Sequence, residues 1–156
     1  MPAYRLESVA PALTARIGAA TAGGARRFAF AVARLACGVA GVHDRSALDV
    51  ARGGLAAGPG MDELVRLWEL ERRLDAACDQ GLDPDAAYPD PATLRLHGEC
   101  AEAKAVASVI AALKPDAYDA ARESAYEAWA AGCEPTALDA LADHLGAADA
   151  DADASH

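Results

Sequence analysis

The alternation of apolar and polar positions along the chain is helical almost throughout. Val9, Leu13 and Ile17 recur at i, i+4 and i+8 and predict a first helix from about Ser8 to Ala20. Ser8 is its expected N-cap, and Pro11 is tolerated in the first turn. Gly23-Gly24 interrupts the pattern. From Ala25 to Val39 the large residues Phe28, Phe30, Val32 and Leu35 are set among alanines. Phe28, Phe30 and Val32 alternate as a strand would, but the span and the interspersed alanines favour a second helix, ended by Gly38 and Gly41. A short third helix is expected from Ser46 to Ala57, closed by Gly58-Pro59-Gly60. The fourth, Asp62 to Gln80, is the most amphipathic. Leu64, Leu67, Trp68, Leu70, Leu74 and Cys78 form its apolar stripe; Glu63, Arg66, Glu69, Arg72, Arg73 and Asp79 lean outward. Gly81 to Pro91 reads as the longest loop, with Tyr88 between two Asp-Pro turn clusters.

The fifth segment, near 92–113, changes character along its length. At 100° per residue, Arg95, Glu99 and Glu102 share one arc of its first half. Beyond Lys104 that arc is taken over by Val106, Val109, Ile110 and Leu113, and alanines fill the rest. A helix apolar all round is buried all round, which makes this the expected central helix. Lys114-Pro115 stops it. A sixth helix, Asp116 to Ala131, turns Tyr118, Ala121, Ala125 and Trp129 inward and Arg122, Glu123 and Glu127 mostly outward. Glu134-Pro135-Thr136 opens a seventh, Ala137 to Leu145, with a stripe of Leu138, Leu141 and Leu145. The expected helical domain is 1–146. Residues 147–156 alternate Asp with Ala, contain no core-forming side chain and are expected to be disordered.

Ser46-Ala47-Leu48-Asp49 and Thr136-Ala137-Leu138-Asp139 are the same capping-box pattern, and each opens a short helix after a longer apolar one. One helical hairpin used twice, as in HEAT-like solenoids, would produce this; so would chance recurrence of a common cap. The fold class is therefore all-α: a single-domain bundle of about seven helices, with the fifth central.

Composition agrees. Of 156 residues, 53% are hydrophobic but only 5% aromatic, so the core is built from Ala, Leu and Val. Alanine is the strongest helix former and lets helices approach closely. The pattern looks like that of small Ala-rich bacterial proteins. The net charge is -10, from 14 basic and 24 acidic residues. Long-range repulsion then argues against nucleic acid and anionic membranes, while basic partners are attracted.

The cysteines, Cys37, Cys78, Cys100 and Cys133, form no CxxC pair and are expected to be buried free thiols in a reducing compartment. Met1 to Ser8 starts no apolar run. Arg26-Arg27 precedes a short one, but Ala29 stands where a twin-arginine signal has Phe, and Arg34 breaks the run. A cytoplasmic location is the expectation.

Candidate chemistry is sparse. His97, Glu99, Cys100 and Glu102 offer metal-ligating types, but the i,i+3 pairs His97–Cys100 and Glu99–Glu102 diverge by about 100° or more, and no Glu-x-x-His is present. Cys133, near the start of the seventh helix, is the thiol best placed for activation, with His144 too far along that helix to pair with it. No phosphate loop, dinucleotide fingerprint, nucleophile elbow or calcium loop occurs. No catalytic residue, metal ligand or cofactor is assigned.

Three functions remain as expectations. The first is a non-catalytic acidic protein that binds a protein partner, an adaptor or an immunity-type inhibitor of a basic protein, through Glu123, Tyr126 and Glu127. The second is a bundle with a small-molecule pocket near His97, Cys100, Trp68 and Trp129. The third is a metal-dependent enzyme using His97, Glu99, Cys100 and Glu102.

Overall fold

The computed structural model describes residues 5–53, 60–83, 85, 87 and 98–154, without the side chains of residues 99, 144 and 146–154. The described residues form a 3₁₀ turn and seven α-helices, with no strand. None of these helices is long and apolar enough to cross a membrane.

The helix starts show which side chains win the capping positions. The chain enters through a 3₁₀ turn, Arg5–Ser8, and Ser8 closes that turn by donating to the Arg5 carbonyl at 2.7 Å. The cap expected at Ser8 is therefore absent, and α1 (Pro11–Ala19) begins with Pro11, whose missing N–H costs nothing there. α2 (Ala22–Ala40) contains Gly23 and Gly24 in its first turn. The break expected at that pair falls at Thr21, whose Oγ1 accepts from the Gly24 amide at 3.0 Å. Gly41, with φ 72°, ends α2 in the left-handed conformation that glycine adopts without strain. Phe28, Phe30 and Val32 are helical, and all are buried.

The two expected capping boxes are corrected together. Asp44 caps α3 (Arg45–Gly53), accepting from the Ala47 amide at 2.9 Å. α7 (Pro135–Ala154) opens on Glu134, whose carbonyl accepts from the Leu138 amide at 3.2 Å. Ser46 and Thr136 thus lie inside the first turn, and α3 starts one residue and α7 two residues earlier than expected. They are also seated differently. α3 packs on α2, α4 (Met61–Gln80) and α5 (Gly98–Ala112), whereas α7 crosses back to α2 and α1. The α7 backbone stays helical through Ala154, over the Asp-Ala alternation expected to be disordered. The high helix propensity of alanine fits that continuation.

At the centre, α5 packs against α2, α4 and α6 (Ala117–Ala130). No residue from Cys100 to Leu113 is exposed, as the all-round apolar pattern requires. Residues 91–97, where that helix is expected to begin, lie outside the described residues, as do Tyr88 and most of its loop. α6 is equally sealed: none of residues 117–133 is exposed. This corrects the outward placement of its charged side chains. The 3₁₀ turn and α1 lie on the face that was assigned to solvent.

Small side chains set the helix spacing. Ala25, Ala29, Ala33 and Ala36 on α2 and Ala120, Ala121, Ala125 and Ala128 on α6 are fully inaccessible. Ser108 of α5 and Ser124 of α6 are also fully buried and close a three-helix tie. The Ser124 hydroxyl reaches the Ala29 carbonyl of α2 at 3.0 Å, and the Ser108 hydroxyl reaches the Ser124 carbonyl at 2.8 Å. A buried hydroxyl needs such a partner, because leaving it unsatisfied costs about 1–3 kcal/mol. Arg26 serves the C-terminal end of α5. Its guanidinium donates to the carbonyls of Ala112 (2.8 Å), Lys114 (2.5 Å) and Pro115 (2.8 Å), acceptors that the helix itself leaves unmatched.

α4 is the outer helix. Leu67 and Cys78 are buried and Leu70 and Leu74 partly so, but Trp68 is 46% exposed. Its expected place in the apolar stripe is corrected: α4 leans chiefly on α5, so the covered arc is narrow, and Trp68 stands 100° from Leu67. Met61 and Val65 share that uncovered side. A disulfide between Cys78 and Cys100, with Cα atoms 4.7 Å apart, fastens the end of α4 to the start of α5. The expectation of four free thiols is overturned for this pair. Their separation of 22 residues conceals an adjacency that only the antiparallel return of α5 along α4 creates.

Candidate functional site

Glu123, Tyr126 and Glu127 stand at i, i+3 and i+4 on α6, the spacing that puts side chains on one helical face. The fold brings all three together around one cation. Arg5 Nη2 donates to Glu123 Oε2 at 2.5 Å and to Glu127 Oε1 at 2.6 Å. The centre of its guanidinium lies 4.3 Å from the centroid of the Tyr126 ring. Tyr126 is in turn supported by Trp129, with ring centroids 5.8 Å apart and planes tilted by 40°. The site is thus a planar aromatic wall flanked by two carboxylates, an arrangement that matches a flat, multiply donating cation.

The 3₁₀ turn positions Arg5 because Leu6, the next residue, is fully buried in the main core. That anchor fixes the backbone, and the Arg5 side chain runs out along α6 with 52% of its surface exposed. Burial works against its charge, but hydrogen bonds and attraction from Glu123 and Glu127 outweigh it, so the Arg5 pKa is raised. Half-exposed ion pairs of this kind contribute on the order of 1 kcal/mol or less.

The carboxylates are less exposed than their cation. Side-chain exposure is 19% for Glu123 and 9% for Glu127. Glu127 Oε2 is buried and has no hydrogen-bond partner. A second acidic element faces the site from α4. Burial, then repulsion from Asp75 and Glu127, pushes the Glu71 carboxyl above its ordinary value, with Lys104 of α5 partly offsetting. Glu127 therefore links the Arg5 clamp to the charges of α4 and α5.

The other expected pocket does not assemble in the same way. Trp68 is exposed on α4, Trp129 packs against Tyr126 and the core, and Cys100 is in the disulfide. His97 lies outside the described residues. A disulfide sulfur is no thiolate ligand, so the proposed metal set loses Cys100; the side chain of Glu99 is outside the described residues. Among the described residues no three His, Cys, Asp or Glu side chains gather to hold a metal ion.

The thiols outside the disulfide are poorly suited to nucleophilic work. Cys133, the one best placed for activation, is 1% exposed. Burial pushes the Cys37 thiol up to about 11, which keeps it protonated at neutral pH. Cys37 floors a cavity of about 390 Å³ between α2 and α3, with Val42, Leu48 and Ala51 beside it and Arg34 and Arg52 lining the same cavity. Charge pattern gives no hint of this cavity, because its residues come from two helices and the intervening turn.

The residue that sequence patterning missed is Arg5. It precedes the first recognisable stripe, and nothing in its neighbourhood ties it to a helix more than a hundred positions away. No known protein family, curated protein or solved structure matches this chain.

Proposed function

We propose that this chain is a non-catalytic, acidic helical protein that binds a basic protein partner, as an adaptor or an immunity-type inhibitor does. The observation that carries this reading is the capture of a guanidinium by Glu123, Tyr126 and Glu127. A site that holds Arg5 has the chemistry to hold an arginine of another protein. The net charge of -10 supports the same reading, since it steers a basic partner inward and raises the association rate more than the affinity.

A pull-down at low and high salt tests it, using the wild-type chain and the Glu123→Gln/Glu127→Gln variant. The expected result is a basic protein recovered at low salt, lost at high salt and depleted with the variant. Recovery of no basic protein at low salt sinks the reading.

The cytoplasmic assignment rested in part on reduced thiols. With Cys78 and Cys100 joined, we infer a compartment or redox state in which that bond persists. Trapping thiols by alkylation during lysis decides this: two reactive cysteines after unfolding are expected, and four would restore the reducing-compartment assignment.

A further inference from the structure

Arg5 fits its site incompletely. A single nitrogen, Nη2, serves both carboxylates, although a guanidinium carries five N–H donors in a planar fork. Glu127 Oε2 is left buried and unmatched beside it. One carboxylate acceptor is thus left without a donor. Arg5 also holds the site with its side chain alone. Leu6 anchors the backbone of the turn, and the Ser8 hydroxyl closes it on the Arg5 carbonyl, so swinging the side chain away leaves both in place. About half of the Arg5 side-chain surface is exposed, which leaves the site open to approach by a second guanidinium.

We propose that Glu123, Tyr126 and Glu127 form a receptor for an arginine side chain presented by the basic partner, and that Arg5 occupies this receptor in cis until the incoming arginine displaces it. The proposal rests on the partner-binding reading above and specifies what that partner must present. An incoming guanidinium free to choose its orientation uses two nitrogens, and so satisfies Glu127 Oε2 while stacking on Tyr126. Lysine cannot, because its ammonium is a point donor without a planar face. The cis occupant lowers the apparent affinity by the fraction of time the site is filled, so removing it strengthens binding without adding a contact.

The test is calorimetric titration of the full chain with a tri-arginine peptide at low salt, with tri-lysine as control. Arg5→Gln is expected to bind tri-arginine at least about tenfold more tightly than wild type and to prefer it to tri-lysine. Adding Glu127→Gln to Arg5→Gln is expected to remove the gain. Equal affinity for wild type and Arg5→Gln, or no preference over tri-lysine, overturns the proposal. Circular dichroism checks that Arg5→Gln is folded. If it is not, Arg5→Lys decides, with tighter tri-arginine binding than wild type as the supporting result and no change as the refuting one. The two readings fail separately. A basic partner whose capture is unaffected by Arg5→Gln and Glu127→Gln leaves partner binding intact and sinks the receptor. Specific tri-arginine binding with no partner recovered supports the receptor and counts against the partner.

Discussion

Breaking the Cys78–Cys100 bond should loosen the molecule by an amount that the chain topology allows to be worked out. The bond closes a loop with a sequence separation of 22. Constraining a loop of that size removes about 11 cal/mol/K of entropy from the unfolded chain, or about 3 kcal/mol at room temperature. For a domain of this length, that corresponds to a fall in Tm of about 6–12 °C. The loss should be concentrated in α4, which leans chiefly on α5 and exposes Met61, Val65 and Trp68 on its far side. The assay is a thermal melt of the oxidised protein beside the reduced protein and a Cys78→Ser/Cys100→Ser variant. Hydrogen exchange should report faster opening of α4 than of α2 or α6. Identical melts with and without reductant, in a sample whose oxidised form has only two titratable thiols, would refute the reasoning.

Other perturbations have equally defined outcomes. Glu71→Gln should raise Tm at neutral pH, because the folded protein holds that carboxyl above its ordinary value. A carboxyl so raised stabilises the fold when protonated, and the stability is lost as pH rises from the ordinary carboxylate range through the folded pKa. The advantage of the glutamine should therefore vanish in melts run below that range. Arg26→Ala removes the donors to three carbonyls at the end of α5 and should cost about 1–2 kcal/mol by denaturant unfolding. Ala29→Leu forces bulk into the seam where α2 meets Ser124 of α6 and should cost about 1–3 kcal/mol in the same assay.

How far the chain could be read in advance depended on whether the deciding partner was local. The helices were legible because stripe and spacing are local properties, and the sealed second half of α5 followed directly from its loss of a polar face. Caps were less legible, because Asp44 and Ser46 compete within one turn and the pattern does not rank them. Trp68 was misplaced because an amphipathic stripe does not reveal how wide an arc a single neighbour will cover. Glu127 was read as solvent-facing for the same reason in reverse. A turn from the far end of the chain packs on that helix and brings Arg5 onto Glu127. The disulfide and the Arg5 clamp are both pairings across the fold, and neither partner carries a mark of the other in sequence. The grouping of Glu123, Tyr126 and Glu127 was legible as a helical face; that it already holds a guanidinium was not.

The most direct measurement is the affinity of the proposed basic partner for two variants that act on the same site in opposite senses. Arg5→Gln empties the proposed receptor, and Glu123→Gln/Glu127→Gln removes its charge. Tighter binding by the first and weaker binding by the second, with the difference shrinking as salt rises, is the predicted result. Affinities unchanged from wild type in both would contradict the assignment of partner recognition to this face of α6.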